Sequence, residues 1–313
     1  MKYGFGIDVG GTTVKLAYFD ETGLLLDKWE IPTNTAENGK AIMPDIAASI
    51  AGYLEKNNIP KEDILGIGLG VPAPVDATGF AEPCVNLGWP AQNVSQALSE
   101  LTGFPVRSGN DATNAALGEC WKGGHNCDNM VFATLGTGVG GGIVIDGRVM
   151  HGVHGGGAEI GHMPLRIDAP DLCNCGKYGC AELYCSANGL VRVAGKIMEK
   201  DDTPSSLRSG KLTAKDIFDA GKAGDPLALK ILDRYYRYLG EFLANICQVI
   251  DPEVVVLGGG VSRAGQMLID GIVPYFRKLV VFGAVNIRFE IATLGNDAGA
   301  YGAFKLAVDA FLT

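Results

Sequence analysis

The chain has 313 residues, 47% of them hydrophobic and 19% charged, with a formal net charge of −9. That balance supports about two domains with large cores and argues against a disordered chain. The acidic total also argues against a nucleic-acid or anionic-membrane partner, which would want a basic face. No stretch reaches the ~18 uninterrupted apolar residues of a membrane span. The start, Met1-Lys2-Tyr3-Gly4-Phe5, has no secretory apolar region, so a cytosolic protein is expected. Eight cysteines would then be mostly reduced, and a tight cluster of them points to metal before disulfide.

In chain order, Tyr3–Val9, Val14–Asp20 and Leu24–Ile31 read as an antiparallel meander punctuated by glycine turns. Residues 41–57 carry Ile42, Ile46, Ile50 and Leu54 at helical spacing. Ile64–Gly70 and Phe104–Ser108 read as buried strands, with a helix through Leu98 and Leu101 between them. A second meander follows at Met130–Leu135, Gly141–Asp146 and Arg148–His151. Residues 225–250 form a helix whose stripe is Ile231, Tyr235, Tyr238, Phe242 and Ile246. Glu253–Leu257 is a strand, and Ala298–Phe311 a terminal helix. The first strand of each meander runs into a Gly/Thr loop, an internal repeat of two similar α/β units.

Those loops carry the first chemistry. In Asp8-Val9-Gly10-Gly11-Thr12-Thr13-Val14-Lys15 a tight glycine turn bares N–H groups toward an anion, and Asp8 is suited to orient hydrated Mg²⁺. It is no Walker A loop, because the Gly-Lys-Ser/Thr ending and the following helix are missing. Taken alone it is equally an ordinary hairpin turn. Thr134–Gly142, with Thr137 and Gly138, is the second such loop, and two together can grip a triphosphate. Glycine, at 45 residues, is about twice its usual ~7% share, and its clustering points to ligand loops.

The sharpest local signal is His162, Cys173, Cys175 and Cys180. A Cys₃His set suits tetrahedral structural Zn²⁺, and Gly176 and Gly179 fall where a knuckle must turn. Cys185 is close enough to compete, though nothing in its spacing requires it. Cys84, Cys120, Cys127 and Cys247 read as core residues, and His125, His151 and His154 stay unassigned, a loop histidine being usually a surface residue. Asp111, in Ser108-Gly109-Asn110-Asp111-Ala112, stands at a helix start, where an aspartate is most often an N-cap. A kinase would instead use such a carboxylate to accept the proton of an attacking hydroxyl.

Asp-x-Gly-Gly-Thr-x-x-Lys at the start and Gly-Thr-Gly-x-Gly-Gly-Gly in mid-chain resemble the phosphate motifs of the ROK family of sugar kinases and repressors. The run Gly155–His162 and the run Cys175–Ser186 also match its signatures, in the family's order. The resemblance implies an α/β actin-like ATPase (ribonuclease-H-like) fold, two domains around a cleft. A small domain is expected at 1–112 plus 298–313, and a large one at 113–297 with the zinc segment 162–180. ATP phosphates fall to Asp8, Gly10, Gly11, Thr12, Thr13, Lys15, Thr137 and Gly138, while Gly258, Gly259, Gly260 and the segment Gly295–Gly302 approach the adenosine. Asp111 becomes the base for a hexose 6-hydroxyl. Asn86, Asn110, Asp111, Glu159, His162 and Glu182 bind the sugar, with one His162 nitrogen on zinc and the other toward the sugar. Zn²⁺ is thus structural and Mg²⁺ travels with ATP.

Glucose is the first expected substrate; another hexose or an N-acetylhexosamine is the alternative. Ala73-Pro74-Val75-Asp76 stands where family glucokinases commonly have Gly-Pro-Val-Asp, and the Ala73 methyl is expected to bear on the sugar pocket. Polyphosphate is the competing donor. A non-catalytic sugar-sensing regulator is the competing class, and only seven residues precede Asp8, too few for the helix-turn-helix such regulators add. A homodimer or homotetramer is implied, with no nucleic-acid or membrane partner.

Overall fold

A computed structural model describes residues 1–312; Thr313, the last residue of the expected small-domain segment, lies outside them. The strands are β1 (Tyr3–Val9), β2 (Thr13–Asp20), β3 (Leu25–Pro32), β4 (Ile64–Val71), β5 (Phe80–Ala81), β6 (Gln92–Asn93), β7 (Val106–Asn110), β8 (Met130–Leu135), β9 (Val139–Ile145), β10 (Arg148–Val149), β11 (Val254–Gly258) and β12 (Arg288–Ile291). The helices are α1 (Ala36–Gly39), α2 (Ile42–Lys56), α3 (Val94–Thr102), α4 (Asp111–Lys122), α5 (Glu182–Cys185), α6 (Ala187–Met198), α7 (Ala214–Lys222), α8 (Pro226–Ile250), α9 (Gln266–Arg277) and α10 (Ala298–Phe311). The expected elements agree within about two residues at each end. The regions of α6, α7, α9 and β12 had no assignment from sequence. Among the described residues, no helix is long and apolar enough to cross a membrane.

Contacts divide the chain into two compact units. The first holds Met1–Asp128, Gly142–Ala158 and the segment from Thr293; the second holds Asn129–Gly141 and Glu159–Ala292. The division falls after Asp128, whereas the sequence reading places it after residue 112; α4 packs on α10 and so belongs with the first unit. One five-stranded sheet has the order β3-β2-β1-β4-β7 and the other β10-β9-β8-β11-β12. Each has a meander on one side and parallel neighbours on the other, β1 with β4 and β4 with β7, β8 with β11 and β11 with β12. The two sheets thus repeat one order of strands, as the paired glycine loops suggest.

Strand alternation sorts the first sheet's faces. Phe5, Ile7 and Val9 of β1 and Ile67, Leu69 and Val71 of β4 join Ile42, Ile46 and Ile50 of α2 in one core. The opposite face carries Gly4, Gly6 and Asp8, then Gly66, Gly68 and Gly70. Helix α10 lies directly on that glycine face: a Cβ at Gly68 would sit 1.7 Å from the Ala303 carbonyl oxygen, and one at Gly6 would sit 2.1 Å from that of Ala300. Much of the glycine excess therefore serves backbone-close packing, a use the sequence reading gave to ligand loops.

In the second unit, Asp225 caps α8 by accepting the Ala228 N–H at 2.9 Å, and Pro226 supplies a preset first helical φ. Ile231, Tyr235, Phe242 and Ile246 are buried on α8 as expected. Tyr238 is only half-buried; its ring meets Tyr184 at 5.1 Å and the Arg166 guanidinium at 4.9 Å. Leu101 of α3 is likewise half exposed, while Leu98 is buried.

We expect Gly68→Ala to lower stability by about 1–3 kcal/mol in urea unfolding, because a backbone carbonyl has nowhere to retreat. Gly52→Ala, on α2 where a Cβ meets nothing within 4 Å, should instead stabilise by roughly 0.5–1 kcal/mol. Equal effects at the two positions would contradict the packing role of the glycine face.

Candidate active site and metal centre

The end of β1 puts Asp8 on the α10 face. Its carboxylate lies against Gly299 in the first turn of α10, where an added Cβ would come within 3.0 Å. Lys15, paired with Asp8 across β1 and β2, brings its Nζ to 3.4 Å from Oδ2 and donates to the Asn296 carbonyl at 3.2 Å. Burial pushes the Asp8 carboxyl above the usual carboxylate range, and the Lys15 ammonium only partly offsets it. Between them the turn is closed by the Gly10 N–H on the Thr13 carbonyl at 3.0 Å and braced by the Thr33 hydroxyl on the Gly10 carbonyl at 2.7 Å. Gly11 and Thr12 are exposed, and a Cβ at Gly11 would meet nothing. The turn is held from behind and open in front.

At the end of β7 the N-cap of α4 is Asn110, whose Oδ1 accepts the Thr113 N–H at 3.1 Å. Asp111 is the next residue along and the first of the helix, so it is not the N-cap residue that its type alone suggests, although its Oδ1 accepts the Ala112 N–H at 2.7 Å. The Asn110 amide donates to the Ala73 carbonyl at 3.3 Å. Ala73 is 4% exposed and packs in the core cluster, so its methyl does not point into open space. Cys84 is buried nearby, donates to the Pro72 carbonyl at 3.3 Å, and accepts the Leu87 and Asn86 N–H groups at its sulfur. Burial first, and the Asp111 charge last, raise its thiol. The Cys84 sulfur thus sits between the Pro72 carbonyl and the turn Val85–Leu87, which carries the exposed Asn86, while the Asp111 charge acts on it weakly.

In the second unit, the Gly136 N–H bonds the Gly138 carbonyl at 3.0 Å and the Ala187 N–H bonds the Gly136 carbonyl at 2.8 Å. Thr137 sits at the tip of that loop. Glu182, at the start of α5, accepts the Val139 N–H at 3.1 Å, and a Cβ at Gly138 would come within 2.2 Å of its carboxylate. Gly259, at φ 79°, presses its α-carbon on the Leu135 backbone, so the turn Gly258–Gly260 meets the start of the Thr137 loop. Glu159 is exposed, and its carbonyl accepts the His162 N–H at 3.1 Å.

His162, Cys173, Cys175 and Cys180 converge with all their donor atoms within 4.8 Å of one another. Cys173 Sγ lies 3.7 Å from His162 Nδ1, and the Cys175 and Cys180 sulfurs are 3.6 Å apart. Ligands of a tetrahedral Zn²⁺ with bonds of about 2.3 Å stand about 3.8 Å apart, so the cluster has that spacing and is far too open for a disulfide. Burial, then the neighbouring thiols, push Cys180 up to about 12, and burial likewise raises Cys173. Cys175 is exposed; some desolvation raises its thiol, but hydrogen bonds, chiefly from the Lys177 N–H, outweigh it and lower the thiol. A shared cation would offset the rise at Cys173 and Cys180 and hold all three as thiolates. Nδ1 is the His162 ring nitrogen that faces the sulfurs. Glu182 touches this cluster too, its Oε1 lying 3.7 Å from the Cys173 thiol. Cys185 takes no part; it is buried and its carbonyl accepts the Tyr235 hydroxyl at 2.6 Å.

Cys84 and Cys247 are core residues as expected, whereas Cys120 and Cys127 are only partly buried. His154 is exposed and His151 half-buried. His125 departs from its expectation as a surface histidine: it is 2% exposed, with Nε2 3.0 Å from the carboxylate of the fully buried Glu119. Nothing in the local sequence marks that pair, because its other partners lie some 170 residues away.

The ROK family profile matches residues 4–310. A glucokinase of Halalkalibacterium halodurans is 44% identical over 304 residues, spanning 95% of this chain and 92% of that protein. The crystal structure of a ROK family glucokinase from Streptomyces griseus in complex with glucose and AMPPNP is 31% identical with a TM-score of 0.76, covering 98% and 99% of the two chains. A ROK hexokinase from Thermus thermophilus reaches a TM-score of 0.80 at 31% identity, covering 98% of each chain. The chain belongs to the ROK family, and its fold is the α/β actin-like ATPase fold.

Asp8 gives a signed stability prediction. Its native pKa is raised, so the folded state holds the proton more tightly than the unfolded chain and stability falls as pH rises from about 3.8 through the native value. Asp8→Asn removes that penalty at pH 7. We expect its thermal midpoint to equal or exceed the parent's at pH 7; a clearly lower midpoint would mean that the Lys15 pair outweighs burial.

Proposed function

We propose that the protein is an ATP-dependent hexose kinase that transfers the γ-phosphoryl group to the 6-hydroxyl, with glucose as the preferred acceptor. Its relatives include glucokinases along nearly the full chain. The observation that supports the assignment of the base is its place: Asp111 opens α4 directly after Asn110, whose Oδ1 caps the helix, and its own Oδ1 accepts the Ala112 N–H at 2.7 Å, which holds the carboxylate at the helix start. Asp111 takes the hydroxyl proton as the sugar oxygen bonds to the γ-phosphorus, and the bond to the ADP oxygen breaks in line. Asn86, Asn110, Glu159, His162 and Glu182 orient the sugar hydroxyls. The Gly10–Thr13 turn, Lys15, Thr137 and Gly138 hold phosphates, and Gly258–Gly260 approaches the adenosine. Asp8 would hold the hydrated Mg²⁺ that neutralises phosphate charge.

In the same reading His162, Cys173, Cys175 and Cys180 hold a structural Zn²⁺, which aims the His162 ring at the sugar and performs no chemistry. The observed spacing of the sulfurs supports it. A cytosolic location and a homodimer or homotetramer complete the reading.

Asp111→Asn should keep hexose affinity within about threefold while turnover falls at least ~10²-fold. Near-parental turnover in a coupled assay would refute Asp111 as base. The hexose panel in that assay tests glucose against N-acetylhexosamines, and polyphosphate against ATP. Metal analysis should find about one zinc per chain. Cys175→Ser should lose the zinc and raise the KM for hexose; a zinc-free variant with unchanged hexose KM would detach the metal from the sugar site.

A further inference from the structure

We propose that Glu119 is a positioning residue for the nucleotide phosphates, acting through the turn that leads into α10. The inference rests on the proposed phosphate role of Asp8 and Lys15. Glu119 lies on α4 with no exposed surface. A bare carboxylate there would be costly, so its donors carry structural meaning. Oε2 accepts His125 Nε2–H at 3.0 Å and the Thr293 N–H at 3.0 Å, while Oε1 accepts the Leu294 N–H at 2.8 Å. The Thr293 hydroxyl has one proton. It gives that proton to the Gly123 carbonyl at 2.8 Å, so its 3.3 Å approach to Oε2 adds little. The donors outweigh burial and hold the carboxyl below the usual glutamate range. Gly123 is part of the fit: a Cβ there would come within 2.4 Å of Glu119 Oε2.

The segment so gripped does not end at Leu294. The Leu294 carbonyl accepts the Asp297 N–H at 3.1 Å and closes the turn Gly295–Asp297. From that turn the Asn296 carbonyl takes Lys15 Nζ at 3.2 Å, and Asp297 takes Lys28 Nζ at 2.7 Å. Two residues on, Gly299 meets the Asp8 carboxylate. The Glu119 carboxylate therefore sets the height and tilt of a turn whose far side aims Lys15 and walls Asp8. It contacts neither of them. The grip binds backbone N–H groups, so it places the main chain whatever side chains the turn carries.

Glu119→Gln tests this. An amide cannot satisfy the site: its NH₂ end faces a backbone N–H whichever way it turns. We expect the KM for MgATP to rise by about 10-fold and the affinity for MgADP to fall in parallel, with the KM for hexose changed less than about twofold. His125→Phe, which removes one donor and keeps the backbone pair, should move the same constants in the same direction by less. It decides the matter if Glu119→Gln does not fold. A lower thermal midpoint with both KM values unchanged, or equal rises in both, would overturn the inference. Asp8→Asn run alongside separates the two layers. If it leaves ATP kinetics intact, the phosphate reading of the first loop fails. If it is impaired while the Glu119 and His125 variants keep their ATP constants, only the present inference fails.

Discussion

The contact on which the first unit depends is the seating of α10 on bare backbone. Gly6 and Gly68 let the helix touch the strands, and Gly118 and Gly302 let it touch α4: a Cβ at Gly302 would sit 1.7 Å from the Asn114 carbonyl oxygen. Side chains of any size would lift the helix. Its N-terminus would then leave Asp8, and the turn before it would leave Lys15. The close approach thus joins packing to chemistry. It also explains how a carboxylate can be buried beside a helix start, where the aligned peptide dipoles favour negative charge. Burial still raises the Asp8 carboxyl, which is the kind of local destabilisation that functional sites retain.

The second unit is organised around Glu182. One carboxylate oxygen takes the Val139 N–H beside the Gly136–Gly138 loop, and the other faces the Cys173 thiol. The knuckle is itself tightly tied. Cys173 bonds Lys177 through the main chain at 2.8 Å, and Gly179 presses on the Arg166 carbonyl. Asp171 anchors the preceding loop by accepting Lys196 Nζ at 2.6 Å and Arg192 at 3.2 Å. A metal in the cluster would therefore stiffen both His162 and the residue that braces the Thr137 loop. Glu182 is the physical link between the two features that sequence reading treats as separate.

Legibility followed the range of the interaction. The meanders, the long helix α8 and the Cys₃His cluster could be read because their signals are local: alternation, helical spacing and four ligands within nineteen residues. Asp111 was legible as a candidate but not as distinct from a cap, since that distinction depends on which of two adjacent side chains turns back on Thr113. Tyr238 was read onto the buried stripe by spacing alone. Its ring instead lies at the stripe's edge, where Arg166 and Tyr184 provide a half-polar surface. His125 was misread for the opposite reason, because Glu119 supplies a buried acceptor that no neighbouring residue announces.

By itself the sequence determined the repeated strand–loop–strand units, the Cys₃His cluster and the family, because these rest on residue types at short fixed spacings. The tertiary structure alone decided what the glycines are for, which of Asn110 and Asp111 is the N-cap of α4, and how Glu119 reaches the turn before α10. Those depend on backbone groups far apart in the chain coming within van der Waals or hydrogen-bond reach. Main-chain N–H and C=O groups are the same at every position, so no pattern of side chains encodes where they will meet.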